Sequence, residues 1–271
     1  MTGSIPKIPF ALPHIPARPA FTVPGAEGRM LDFEDIELWI QPDLGNVRTG
    51  AGNYLSITGR KGWRAQSNDA KIALGTGMAN AIPTINMAAG VTTLGKLPLH
   101  VPGYIISGSY FVAVLFRWAS TAVFDATVYR FMSAGITGGA DVEFYSTSNR
   151  LVLRHTDALS QTAVLTMAAN TSYLVWASYD AALNQAKVGI NSASATAWST
   201  NALTGAGGAG REIVIGSVLN AEKTQGSQPL LGEVRGFWAG RTPWVAPETD
   251  TVREAFLREI ASLYPDDITL S

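Results

Sequence analysis

The chain contains no cysteine. It can therefore form no disulfide and no thiolate metal site, and it has no cysteine nucleophile. Histidine is also scarce, because only His14, His100 and His155 occur and no two of them have the spacing of a metal-binding pair. The sequence predicts neither a metal site nor a cofactor.

Charge of either sign is sparse. Charged residues make up 15% of the chain, whereas ordinary soluble domains carry about a quarter. The 20 Lys and Arg residues are balanced by 21 Asp and Glu residues, which gives a formal net charge of -1. Without a basic excess to neutralise a phosphate backbone, nucleic acid is excluded as an expected partner.

Long apolar runs are missing as well. No stretch reaches the roughly 18 apolar residues that predict a membrane-spanning helix, and residues 1–24 lack the uninterrupted apolar core of a secretory signal. We therefore expect no membrane span. A protein of this kind that acts outside the cell is expected to leave by a route such as lysis.

The N-terminal segment is rich in proline. Six of the fourteen prolines fall within the first 24 residues, at intervals of three to five, which favours an extended arm over residues 1–30. Apolar side chains alternate with these prolines, and they are the predicted docking contacts: Ile5, Ile8, Phe10, Ile15 and Phe21. Such an arm either docks on another protein or packs against its own domain.

The remainder, residues 31–271, predicts a single all-β domain. Residues 110–118 form an apolar run with one charge, typical of a central strand that is buried on both faces. Residues 141–155 predict a hairpin. Further β segments follow at short intervals, at residues 173–179, 187–191, 212–218 and 232–239. This succession predicts an antiparallel β-sandwich.

One segment near the C-terminus has helical periodicity instead. Its apolar residues are Val252, Phe256, Ile260 and Leu263, so we expect a closing amphipathic helix at about 248–264. Thr251 and Glu254 fit a capping box, although Pro247 would also suit an earlier start.

The order of these segments resembles a concanavalin A-like jelly roll of the laminin-G-like type, as found in surface proteins of bacteria and of tailed phages or phage-like particles. The segments that carry the resemblance are IELWIQPD (36–43), VWASYDAALNQAKVGINS (175–192), EIVIGS (212–217) and LLGEVRGFWAGRTP (230–243). The resemblance implies glycan or other ligand binding, and in some members bound calcium. Here no acidic cluster has calcium-loop spacing.

Two glycine-rich motifs do not fit the sites that their letters suggest. Residues 90–97 (GVTTLGKL) lack the hydroxyl that a phosphate loop places after its lysine, and Pro98 follows at once. Residues 205–210 (GAGGAG) match a dinucleotide-binding motif but precede a predicted strand where that motif needs a helix.

Carboxylates near the first strand provide the one catalytic alternative. Asp35 and Glu37 share a face if the strand includes both, and could serve as acid and nucleophile of a glycoside hydrolase or lyase. Glu34 breaks the spacing expected for such enzymes, which favours a solvated strand edge. No Gly-x-Ser-x-Gly motif accompanies His155, so we interpret this histidine as an ordinary residue at a strand end.

Aromatic residues among polar neighbours are the candidate ligand contacts. Sugar rings stack on aromatic side chains while polar groups bind their hydroxyls, and the candidates are Trp63, Tyr145, Asn149 and Trp198. Their alternative role is to plug loops against the ends of the sandwich. Trp118 and Trp176 lie in apolar runs and are predicted to be core residues.

These patterns predict a non-enzymatic virion protein of the tail-fibre, spike or decoration type. It would act outside the host as a homo-oligomer, bind host surface polysaccharide, and attach to other virion proteins through its arm. Two alternatives remain open: an enzyme of the same fold, and a purely structural particle protein that binds no glycan.

Overall fold

The computed structural model describes residues 29–30, 33, 35–42, 47–50, 54–67, 73–76, 83–86, 98–118, 128–135, 142–155, 158–161, 167–191, 197–199, 212–219, 226–228, 230–265, 268 and 270. The five predicted docking residues of the arm and both glycine-rich motifs lie outside these ranges.

Within the described residues the chain forms nineteen strands, a short 3-10 helix at Pro247–Thr249 and a C-terminal α-helix. In chain order the elements are β1 (Ile36–Ile40), β2 (Val47–Gly50), β3 (Tyr54–Thr58), β4 (Arg64–Ser67), β5 (Ala73–Thr76), β6 (Pro83–Asn86), β7 (His100–Ile105), β8 (Tyr110–Trp118), β9 (Tyr129–Ala134), β10 (Val142–Thr147), β11 (Arg150–His155), β12 (Ala158–Gln161), β13 (Ser172–Asp180), β14 (Gln185–Ile190), β15 (Ala197–Ser199), β16 (Glu212–Ile215), β17 (Val218–Leu219), β18 (Gly226–Ser227), β19 (Gly232–Gly240) and α1 (Asp250–Leu263).

The strands form two antiparallel sheets and a small two-stranded ribbon, β17–β18. Sheet A has the order β15-β14-β13-β8-β19-β6-β5, and β1 also pairs with β19. Sheet B has the order β12-β11-β10-β9-β16-β7-β4-β3-β2. The predicted all-β fold with an antiparallel sandwich and one C-terminal helix is confirmed.

Strand β8 shows why the apolar run at residues 110–118 has no polar alternation. Val112, Val114 and Phe116 belong to the main core, whereas Phe111 and Leu115 belong to a second apolar cluster that includes residues of α1. Because both faces of the strand are covered, both sets of side chains must be apolar. The prediction of a central strand that is buried on both faces is confirmed.

The predicted hairpin at residues 141–155 is formed by β10 and β11, which pair from Val142 opposite His155 to Thr147 opposite Arg150. Its two turn residues, Ser148 and Asn149, have φ angles of 50° and 57°. Two consecutive residues with positive φ are typical of the type I′ turn, whose twist matches that of the flanking strands.

Helix α1 exists as predicted, but it begins at Asp250 and its buried stripe is shifted. The buried residues are Arg253, Phe256, Leu257 and Ile260, while Val252 is 39% exposed. The capping box expected at Thr251 is wrong because that residue already lies inside the helix. The 3-10 turn that starts at Pro247 sets the beginning, as the alternative interpretation expected.

Candidate functional site

A pocket of about 680 Å³ opens where β1, β7, the β3–β4 turn and the residue after β19 meet. Its polar and aromatic lining consists of Glu37, Lys61, Trp63, Tyr104, Ser107 and Arg241. These residues come from four separate parts of the chain. The pocket therefore exists only once the two sheets have assembled.

The β3–β4 turn holds Trp63 at the pocket. The main-chain N–H of Gly59 donates to the carbonyl of Trp63 at 2.7 Å, and the N–H of Arg60 donates to the carbonyl of Trp39 at 3.0 Å. A Cβ atom on Gly59 would lie 2.4 Å from that Trp39 oxygen, so only glycine permits this close approach. The turn is thus attached to β1 by a main-chain hydrogen bond, and this attachment positions Trp63 at the pocket.

The Trp63 ring is half-buried and stands edge-to-face against Tyr104, with 5.1 Å between the ring centroids. Tyr104 itself is 3% exposed and belongs to the main core. Aromatic pairs of this geometry add stability beyond the area that they bury. Tyr104 therefore restricts the orientation that Trp63 presents to the pocket.

An ion pair forms the polar wall. The Nε of Arg241 donates to both carboxylate oxygens of Glu37, at 3.1 and 3.0 Å. Its Nη1 donates to the carbonyl and hydroxyl oxygens of Ser107 at 3.5 and 3.3 Å, and its Nη2 donates to the carbonyl of Ile105 at 3.3 Å. The guanidinium is therefore anchored to the end of β7 and to the loop that follows it.

Tyr104 also holds Glu37 in place, because its hydroxyl donates to Oε2 of Glu37 at 3.2 Å. Burial raises the pKa of Tyr104, and the neighbouring Glu37 carboxylate raises it further. The phenol consequently stays protonated at neutral pH and remains a donor. Glu37 and Arg241 are still partly open to solvent, since their side chains are 37% and 50% exposed.

This arrangement can bind a polar ring-shaped ligand. A half-buried indole offers a stacking surface, and beside it an anchored carboxylate and guanidinium offer a hydrogen-bond acceptor and a donor. Among the described residues that line the pocket, Glu37 is the single carboxylate. Asp35 does not line it, and its Oδ1 accepts a hydrogen bond from the Thr242 hydroxyl at 2.7 Å.

The described residues therefore do not supply this pocket with the pair of carboxylates that glycoside hydrolysis normally requires. The nearby Glu212 accepts the main-chain N–H of Gly103 through Oε1 at 3.0 Å. The expectation that Asp35 and Glu37 share a strand face also does not hold, because β1 begins only at Ile36.

Of the four predicted ligand contacts, Trp63 is the one that lines the pocket. Tyr145 lies on β10 and is 8% exposed, and Asn149 lies in the β10–β11 turn. Strands β9 and β16 separate β10 from β7 in sheet B. Trp198 belongs to β15 in sheet A, but its side chain lies outside the described part of the chain. The structure does not bring the four residues together.

The other residues considered in the sequence lie in the interior. Trp118 and Trp176 are completely buried, as predicted for core residues. His155 ends β11, as interpreted, and it is also completely buried, where it shares a hydrogen bond with Tyr110 of the opposite sheet. It therefore belongs to the sandwich core.

Sequence reasoning missed Arg241 and Tyr104. Arg241 is 204 residues from its partner Glu37, so no local spacing could connect them. The sequence signal for this site is Glu37, an acidic residue on a strand whose other residues are apolar.

Among the described residues, no group of three or more His, Asp or Glu side chains could hold a metal ion. Within the same residues, no helix is long and apolar enough to cross a membrane.

No protein-family model matches the chain, and no curated protein sequence matches it. Its fold is similar to that of domain 4 of AbnA, a GH43 extracellular arabinanase from Geobacillus stearothermophilus, solved in complex with arabinotriose. The TM-score is 0.52 and the identity 14%, and the match covers 81% of this chain and 98% of that domain.

The fold is also similar to the botulinum neurotoxin serotype D ligand binding domain, solved in complex with N-acetylneuraminic acid (TM-score 0.51, 12% identity, 85% of this chain and 52% of that one). The binding domain of Paraclostridial Mosquitocidal Protein 1 is similar too (TM-score 0.52, 11% identity, 81% and 52%). The chain spans about half the length of both toxin domains. At these identities the similarity shows the fold alone.

Proposed function

We propose that this protein is a non-catalytic carbohydrate-binding domain and that the pocket beside Trp63 is its sugar site. The observation that carries the proposal is the position of a half-buried indole next to the anchored Glu37–Arg241 pair. Two proteins of similar fold were solved with a saccharide or a sialic acid bound, which supports this class of ligand.

In the proposed complex, the apolar face of a pyranose ring stacks on Trp63. One hydroxyl of the sugar donates to the carboxylate of Glu37. A neighbouring hydroxyl accepts from the guanidinium of Arg241, which has five N–H donors. Because Arg241 is already held by Ser107 and Ile105, little side-chain entropy is lost on binding.

Replacement of Trp63 by alanine is expected to weaken saccharide binding about 30-fold, the effect of losing a central contact worth about 2 kcal/mol. A glycan array identifies the ligand, and calorimetry then compares Trp63→Ala with Trp63→Phe, which keeps a ring and should lose less. Leu183→Ala is the control, since Leu183 is the most exposed large apolar residue described, at 48%, and does not line the pocket.

Unchanged affinity in Trp63→Ala would contradict the proposed site. The same preparations are assayed for shortening of the bound polysaccharide. Shortening that disappears in Glu37→Gln would assign a glycoside hydrolase or lyase instead.

We further propose that the domain is displayed in several copies on a phage-like particle outside the host, with residues 1–30 as the docking arm. Weak binding at each site would then be strengthened by multivalency. The support for this part is the proline spacing of the arm and its apolar residues, Ile5, Ile8, Phe10, Ile15 and Phe21.

Deletion of residues 1–28 is expected to abolish incorporation into particles while saccharide affinity stays unchanged, because the described residues that line the Trp63 pocket all come from residues 36–241. Incorporation is measured by immunoblotting of purified particles. Normal incorporation of the shortened chain would show that the arm merely packs on its own domain. Normal incorporation of the full chain without any bound saccharide would instead assign a purely structural role.

A further inference from the structure

The outer face of sheet B carries a compact charged cluster that the proposed sugar site does not use. We define the arginine cluster as Arg130, Glu143, Tyr145 and Arg154. In the strand register, Arg130 of β9 lies opposite Tyr145 of β10, and Arg154 of β11 lies opposite Glu143 of β10. The alternate residues of β10, Val142 and Phe144, point into the main core.

Two guanidinium groups in this cluster share one carboxylate. Arg130 donates to Oε1 of Glu143 from Nε at 3.0 Å and from Nη2 at 2.6 Å. Arg154 forms an ion pair with the other oxygen, Oε2, through its Nη2. Both guanidinium groups also lie against the ring of Tyr145, at 4.9 Å for Arg130 and 5.9 Å for Arg154. With two guanidinium groups and one carboxylate, the cluster carries a net charge of one positive unit.

The net positive charge of the arginine cluster is buried but is not balanced by a second carboxylate within the cluster. The side chain of Arg130 is 7% exposed and that of Glu143 1% exposed. Nη1 of Arg130 and Nε of Arg154 are buried and have no hydrogen-bond partner in the structure. Burial lowers the pKa of Arg130, against the opposing effect of Glu143. Buried charges and buried donors are normally paired, so this cluster lacks one anionic partner among the residues that the structure describes.

We propose that the arginine cluster is a second ligand site, which binds one oxyanion group, a carboxylate or a sulfate, either free or as a substituent of a saccharide. The anion enters beside Arg154, whose side chain is 33% exposed. It accepts hydrogen bonds from the unused N–H groups of Arg154 and Arg130, while Glu143 and Tyr145 keep the two guanidinium groups in position. Oxyanions are the ligands that arginine binds best, because its N–H groups match their geometry.

This site is separate from the Trp63 pocket. Strand β16 lies between β9, which carries Arg130, and β7, which carries Tyr104. Tyr104 moreover belongs to the main core, whereas the cluster lies on the opposite face of sheet B. The inference goes beyond the proposed function, and either site can fail without the other.

The test measures the unfolding temperature of the full chain during titration with millimolar sodium sulfate, against sodium chloride at equal ionic strength. A second titration compares oligogalacturonate with its methyl ester, which differ in the carboxylate. We expect the unfolding temperature to rise to a plateau with sulfate, with oligogalacturonate, or with both. The methyl ester should raise the unfolding temperature no more than sodium chloride does. A rise with sulfate alone assigns free oxyanions as ligands, and tighter binding of oligogalacturonate assigns saccharide-borne ones.

Arg154→Gln is expected to weaken the apparent affinity at least tenfold, each variant being compared with its own salt-free unfolding temperature. Arg154→Lys keeps a charge beside Glu143 but lacks the Nε–H donor, and should also bind at least tenfold more weakly. Arg150→Gln removes the same charge from the same strand and is expected to bind like the unmodified chain. The inference is wrong if neither probe exceeds its control, or if both Arg154 variants respond like the unmodified chain.

Discussion

Phe256→Ala is expected to lower the free energy of unfolding by about 3–5 kcal/mol, the usual cost of removing a fully buried phenylalanine. Phe256 is 1% exposed and joins helix α1 to sheet A. Its ring lies 5.2 Å from that of Trp244 and 5.5 Å from those of Phe111 and Phe33. A cavity at this point removes contacts on both the helix and the sheet.

Urea or thermal unfolding measures this change, with Val252→Ala as the matched control. Val252 lies one turn earlier on the same helix and is 39% exposed, so its truncation is expected to cost about 0.5 kcal/mol or less. Equal effects of the two substitutions would mean that α1 does not pack on the outer face of sheet A.

The second large effect is a loss of stability in acid that depends on His155. Burial lowers the pKa of His155 from 6.5 to about 4. Above pH 6.5 the imidazole is neutral in both the folded and the unfolded chain. Below that pH the unfolded chain binds a proton that the folded protein cannot accept until about pH 4. Stability therefore falls between pH 6.5 and pH 4, by about 3 kcal/mol in total.

Among the described residues, no charged group is found to offset the effect of burial on the His155 imidazole. Its ring packs edge-to-face on Tyr179, with 4.4 Å between the centroids, and its Nδ1 is buried without a hydrogen-bond partner. Tyr110, which shares the hydrogen bond with Nε2, keeps its proton because burial raises its pKa well above the usual value.

Unfolding curves recorded from pH 7 to pH 4 test this expectation. His155→Leu should be less stable at pH 7, because Tyr110 loses its partner, but its stability should change less over this interval. Tyr110→Phe keeps the buried imidazole and should keep the steep loss in acid. A His155→Leu profile parallel to that of the unmodified chain would assign the acid sensitivity to other groups.

The sequence predicts the sandwich well because the pattern of apolar residues along each strand indicates which of its faces are buried. Val112 and Leu115 face different apolar layers, so the run at residues 110–118 admits no polar position until Arg117. The β10–β11 hairpin is equally local, since its turn depends on Ser148 and Asn149 alone. Features of this kind need no information from distant parts of the chain.

The details of α1 were harder to predict because they depend on tertiary packing. Arg253 reads as a solvent-facing residue in the sequence, yet it is 2% exposed. Its guanidinium lies 5.1 Å from the centroid of the Trp176 ring and donates to the carbonyl of Trp244 at 3.2 Å. The buried face of α1 is therefore centred partly on Arg253. The apolar residues alone indicate a face rotated toward Val252, and for this reason the sequence predicts Val252 to be buried.

The candidate site was predictable to the extent of Trp63 and Glu37, the two residues with unusual local surroundings. Their common pocket depends on Arg241 and Tyr104, which only the folded chain brings near them. Tyr145 is a candidate because of the polar residues beside it in the sequence, such as Asn149, whereas in the folded chain Arg130 and Arg154 from the two neighbouring strands lie against its ring. Sequence alone does not distinguish a polar residue that awaits a ligand from one that is already bound within the protein.

The position of β19 has a consequence for biosynthesis. This strand pairs with β8 in the middle of sheet A, although residues 232–240 leave the ribosome after all the other described strands. Until then the edge of β8 that faces away from β13 has no strand paired with it. Nascent chains that stall before residue 232 should therefore be clients of chaperones, and the sandwich closes only near the end of translation.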